Sequence, residues 1–128
     1  MAWDFSPERP IYSQLIEQIG ILIVTGVFLP GNRLPSVREL ANQARVNPNT
    51  MQRALSELEV QGLVFSERTS GRFVTQDQER IEAMRKDLAT ERIRQFFASM
   101  QHLGISRAQA LAMAAQKIEE VQDGNDGE

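Results

Sequence analysis

Asn47, Asn49, Thr50, Gln52 and Arg53 crowd a single short stretch of the chain, and each carries a side chain suited to contacting nucleic acid. Asn and Gln amides pair bidentately with adenine, while Arg pairs with guanine or with a phosphate. Asn47 is also a strong helix N-cap, and Pro48 after it suits the first helical position. A helix start would therefore place these groups where free backbone N–H donors also attract phosphate. The alternative is a capped helix whose polar face is merely solvated. For Asn47 both readings stand. For Thr50, Gln52 and Arg53 the neighbouring elements favour nucleic acid.

Those neighbours begin just upstream. Ser36 with Glu39 three residues later fits a capping box, which predicts a helix from about Val37 to Ala44. Only a few residues separate it from the helix announced by Asn47, and such a pair forms a helix-turn-helix. Ser36 and Arg38 then lie where these motifs grip the DNA backbone, and Arg33 lies close by. Ser36 has a capping role in any case, and Arg38 has surface pairing with a carboxylate as its alternative. Before them, Pro10 opens an amphipathic helix with Tyr12, Leu15, Ile16, Ile19, Leu22 and Ile23 at three-and-four spacing. Met1 to Arg9 reads as an extended arm. The third helix runs to about Gln61, turns Met51, Ala54, Leu55 and Leu58 inward, and stops at Gly62.

Two short runs follow, Leu63 to Ser66 and Arg72 to Thr75, around a turn containing Ser70-Gly71. They read as a β-hairpin, the wing of a winged helix, with Arg68 and Arg72 on either side of its tip as DNA-contacting charges, Arg72 reaching phosphate or minor groove together with Gly71. Gly71 supplies a turn conformation and lets backbone approach a phosphate. A two-stranded hairpin is marginal alone, so Phe65, Phe73 and Val74 are expected to pack on the helices.

From Gln78 to Gln101 the pattern is helical, with Ile81, Met84, Leu88, Ile93, Phe96, Phe97 and Met100 as apolar positions. Leu103 to Ser106 breaks it. Ser106 caps a last helix carrying Ala110, Leu111, Ala114, Ile118 and Val121. Two helices cannot enclose a core by themselves, and a second copy of the chain is the simplest partner. The fold expected is mainly α with a small β-wing. Residues 1–76 form a winged helix-turn-helix, 77–122 a two-helix dimerisation segment, and 123–128 a flexible polar tail.

Bulk properties bound the alternatives. With 128 residues and no cysteine, disulfide frameworks, thiol catalysis and cysteine zinc sites are excluded. The single histidine, His102, sits at a predicted helix end and suggests no metal. No nucleophile–base pair or phosphate-binding glycine loop stands out, so an enzyme is not expected, and no cofactor is implied. The apolar run Ile19 to Val24 falls far short of the roughly 20 residues of a membrane span, and Met1 to Phe5 shows no leader pattern. A cytoplasmic protein is expected. The net charge of −3 weighs little against DNA, because its distribution is uneven. Every basic residue between Pro30 and Thr75 is an arginine, and the acidic excess lies after Gln76.

These segments resemble the GntR family of bacterial transcription regulators, and within it the YtrA-type subfamily. The resemblance rests on Pro10 to Leu15, Pro30 to Ala41, Val46 to Leu55, Leu58 to Leu63 and Gly71 to Val74. It implies a dimeric winged helix that binds a palindromic, inverted-repeat operator in double-stranded DNA, usually as a repressor and often of transporter genes. Carried over by position, Arg33, Ser36, Arg38, Asn49, Thr50, Gln52, Arg53 and Gly71 would contact DNA. The short two-helix tail also resembles that subfamily, which uses it for dimerisation. The chain departs from the family at Thr69, where the wing commonly has glycine, and at Asn32, commonly acidic. A rival from another class is a winged-helix adaptor that uses the same helix to bind protein. The sequence names no operator and no small-molecule effector.

Overall fold

The computed structural model of the chain describes residues 3–124. The elements run α1 (Ile11–Val24), α2 (Val37–Ala44), α3 (Pro48–Val60), β1 (Val64–Glu67), β2 (Gly71–Val74), α4 (Gln78–His102) and α5 (Arg107–Gly124). Contacts divide the chain into two compact units, one ending at Leu88 and the other beginning at Ala89.

In the first unit α1, α2 and α3 close around one core. Leu15, Ile19 and Ile23 of α1 meet Leu40 and Ala41 of α2 and Met51, Ala54, Leu55 and Leu58 of α3, all buried. Pro10 is the N-cap of α1 and not its first helical residue. The arm before α1 is tied down. Gln14, itself buried, accepts from the Ser6 amide at 2.7 Å and donates to the carbonyls of Ser6 (2.8 Å) and Arg9 (2.9 Å). Every polar atom that this burial removes from water is thereby satisfied.

The α2–α3 turn is built by caps. Ser36 and Glu39 form the expected capping box, with bonds of 3.1 and 2.8 Å. At the other end of α2, Arg45 takes the left-handed conformation (φ 58°). The Val46 amide then reaches back to the Ala41 carbonyl at 3.0 Å, which closes the helix in a Schellman motif. Asn47 accepts from the Asn49 amide at 2.7 Å and starts α3 at Pro48. Gly62 (φ 81°) ends α3 in the same left-handed way.

The wing pairs Val64 with Val74 and Phe65 with Phe73, through to Glu67 with Gly71. Both strands are displaced by one residue from the sequence reading. A third segment supports them. The Gly31 amide donates to the Val74 carbonyl (2.8 Å), Val74 to Asn32 (2.9 Å) and Leu34 to Arg72 (2.8 Å), so residues 31–34 run alongside β2. Strand alternation sends Val64 and Val74 into the core and turns Phe65 to the opposite face. Phe65 is 41% exposed and stacks on Phe73 at 5.8 Å. The expectation that Phe65 packs on the helices is therefore corrected. Thr69 lies in the wing turn without positive φ, so the tip closes with no glycine there.

The start of α4 belongs to this first unit. Ile81 and Met84 are buried in its core, with Leu88 packed against it. A Cβ at Gly20 would overlap the Met84 methyl, so the glycine in α1 makes room for α4. Arg85 donates to the Val24 carbonyl (2.6 Å) and Arg80 to the Gln61 carbonyl (3.3 Å), capping the ends of α1 and α3. The change in secondary structure falls near residue 77, as read from the sequence, while the compact unit continues to Leu88.

The second unit holds the rest of α4 and α5. Ser106 and Gln109 form a reciprocal cap at the start of α5 (2.9 and 3.1 Å). Ala110 is buried, but Ile93 (55%), Leu103 (73%), Leu111 (63%) and Ile118 are largely exposed, and Met113 and Phe96 are exposed to a lesser degree. Of the expected tail 123–128, Asp123 and Gly124 continue α5, and 125–128 lie outside the described residues, as does the Val121 side chain. Among the described residues no helix is long and apolar enough to cross a membrane.

Candidate nucleic-acid interface

Helix α3 is two-faced by its spacing. Met51, Ala54, Leu55 and Leu58 are buried. Asn49, Gln52, Arg53 and Ser56, at intervals of three and four, are exposed together on the outer face. Ser56 was missing from the sequence-based set, although its spacing from Asn49, Gln52 and Arg53 pointed to it. The Gln52 amide approaches its hydroxyl at 3.4 Å. Thr50 is half-buried at the margin of this face. Asn47 spends its side-chain oxygen on the cap and is exposed.

Arg53 lies over the ring of Tyr12, its guanidinium carbon 4.0 Å from the ring centroid. It makes no ion pair or hydrogen bond within the protein among the described residues. Arg38 is exposed in the first turn of α2, and Ser36 caps that turn.

Arg33 and Gly71 are brought together. Gly71 has φ 108°, and a Cβ there would stand 3.0 Å from the Arg33 Nε. The missing side chain thus serves both the backbone and the close passage of Arg33. Arg33 also acts on the α2 start. The Glu39 carboxyl is held below its ordinary range first by the Ser36 amide and hydroxyl, then by the Arg33 charge, against a small cost of desolvation.

Arg68 and Arg72 do not behave as a pair of tip charges. Arg68 is exposed in the turn, whereas Arg72 turns back to Glu59 at the end of α3, Nε to Oε1 3.2 Å, and is half-buried. Arg72 is therefore placed as a tie between wing and α3, which its position near the tip did not reveal. The Ser66 hydroxyl and the Arg72 guanidinium hold the Glu59 carboxyl below its ordinary value of 4.5. A depressed carboxylate stabilises the fold above its unfolded value and loses that contribution as pH falls through the folded one. Thermal stability is accordingly expected to hold from neutral pH down to about 4.5 and to fall below it. Glu59→Gln should flatten part of that fall in melts followed by circular dichroism. An identical pH profile in the variant would remove Glu59 from the account.

The site thus offers amides, hydroxyls and cations on an exposed helix face, with no group of His, Asp or Glu able to hold a metal among the described residues. Residues 11–74, half of the chain, match the family model of the bacterial regulatory proteins, gntR family. The chain belongs to the GntR family.

This GntR protein is 39% identical over 108 residues to the uncharacterized HTH-type transcriptional regulator YhcF of Bacillus subtilis, covering 84% of this chain and 89% of that one. It is 40% identical over 74 residues to the HTH-type transcriptional repressor YtrA of the same organism, covering 58% and 57%. Among solved structures it is similar to a GntR family transcriptional regulator from Listeria monocytogenes, with a TM-score of 0.75, 38% identity, and coverage of 88% of this chain and 98% of that one. The DNA-binding domain of AraR, solved with its operator ORE1, matches 59% of this chain and 94% of its own at a TM-score of 0.51 and 32% identity. The fold of this GntR protein is the winged helix, and its family is one of regulators, not of enzymes.

Proposed function

We propose that this GntR-family regulator is a homodimeric repressor that binds an inverted-repeat operator in double-stranded DNA, with transporter genes among its targets. Helix α3 enters the major groove and reads bases through Asn49, Gln52 and Arg53, with Asn47, Thr50 and Ser56 at the edge of the contact. Arg33, Ser36 and Arg38 hold the backbone, and Arg68 and Gly71 bring the wing to it. Arg72, tied to Glu59, holds the wing in position for that contact. Residues 77–122 supply the dimer contact from Ala89 onward and the docking of α4 before it.

The observation that carries this reading is the exposed face of α3, where polar side chains and an arginine unpaired by any carboxylate point outward from a fully apolar inner face. An exposed arginine with no carboxylate or hydrogen-bond partner among the described residues keeps its donors available for an external anion or base edge. YtrA is named a repressor, and AraR was solved on its operator, which supports the same direction.

Arg53→Ala tests it. Affinity for a duplex enriched by the unaltered protein from a random-sequence pool should fall by about 1–3 kcal/mol, with relaxed preference at one base position. An unchanged affinity in a folded variant would remove Arg53 from the reading set.

A further inference from the structure

We infer that Tyr12, on α1, is a positioning residue for Arg53 and so forms part of the DNA-reading apparatus, an inference that rests on the role proposed above for α3. The observation is the 4.0 Å approach of the Arg53 guanidinium to the Tyr12 ring centroid. Tyr12 is half-buried and packs against the core of the first unit, so its ring is a fixed surface. Arg53 is exposed, and an exposed arginine otherwise samples many rotamers.

The kind of partner matters as much as its presence. Arg9, Arg72, Arg85 and Arg94 are each paired with a carboxylate, from Glu17, Glu59, Glu82 and Glu91 respectively. A carboxylate would neutralise the guanidinium and occupy its N–H donors. An aromatic face attracts the cation through its quadrupole and uses none of those donors. Stacking therefore orients Arg53 while leaving its charge and hydrogen-bonding edge free for guanine or phosphate. Tyr12 is the chain's single tyrosine.

The test compares Tyr12→Phe, which keeps the ring, with Tyr12→Leu, which removes it, each alone and with Arg53→Ala. Binding is measured to the duplex enriched by the unaltered protein, with circular dichroism melts confirming that each variant is folded. Tyr12→Leu should weaken binding about three- to tenfold, Tyr12→Phe should bind as the unaltered protein does, and Tyr12→Leu should add nothing once Arg53 is alanine. Equal loss in Tyr12→Phe would assign the effect to the hydroxyl and overturn the inference, as would additive losses in the double variant. A second readout needs no DNA. The Arg53 δ protons should be shifted upfield by the Tyr12 ring current in the NMR spectrum of the free protein, and absence of that shift overturns the stacking whatever the DNA result. Failure to enrich any duplex would instead defeat the DNA-reading role of α3 and leave the ring-current result intact.

Discussion

Replacing Ile93 and Phe96 together by glutamate is expected to leave a monomer whose affinity for the operator is about 10²–10⁴-fold lower. Both side chains are exposed apolar groups in the second unit, where Leu103, Leu111, Met113 and Ile118 are exposed as well. These exposed apolar side chains on two helices are what the proposed dimer would cover. Phe96 and Phe97 lie 5.5 Å apart, and a groove of about 260 Å³ between Ile93, Phe97 and Gln101 could receive side chains from another copy. In the proposed dimer each copy binds one half-site, and the second contact is made at the high effective concentration set by the first. Glutamates at these positions would be buried without partners in that dimer. Neither residue contributes to the first unit, so the winged helix itself should melt as before. Sedimentation equilibrium and operator titration of the same variant measure both parts. A variant that stays dimeric with full affinity would move the dimer contact elsewhere.

Leu58→Ala is expected to destabilise the first unit by about 2–5 kcal/mol, through lost burial and the cavity left behind. Leu58 is 0% exposed, and the α1–α3 contact is where the core gathers. Two residues later on the same helix, Val60 is 80% exposed, and Val60→Ala should change stability by only a few tenths of a kcal/mol. Urea unfolding of the pair separates the two faces of α3. Comparable losses would contradict the inward and outward assignment on which the reading of its outer face depends.

How far the chain could be read before its structure depended on how local the signal was. The Ser36–Glu39 box and the Asn47-Pro48 start are local chemistry, and both hold as read. The inward set of α3 follows from a period of 3.6 and was legible for the same reason. What escaped was long in range or short in length. Residues 31–34 are too few to show alternation, yet they flank β2 and explain how a two-stranded wing is held. Periodicity gave α4 an apolar face without saying which core it meets. Ile81 and Met84 pack with the winged helix, while Ile93 and Phe96 belong to the next unit. The wing carries apolar side chains on both faces, so its sequence did not say which face meets the helices; the Val64–Val74 pair enters the core and Phe65 lies on the other face with Phe73. Arg72 was read as a tip charge because its Glu59 partner lies 13 residues away across the fold. Tyr12 was read only as an apolar position of α1, since nothing in the sequence places it beneath Arg53.

The central claim is that the outer face of α3, with the arginines around it, binds DNA. Titrating the enriched duplex across a range of salt tests it most directly. A protein gripping several phosphates per half-site should lose about a thousandfold or more in affinity between about 50 and 200 mM salt, while keeping its preference over an unrelated duplex. Affinity that is flat across that range, or equal for the unrelated duplex, would contradict the account and favour a protein partner for the same helix.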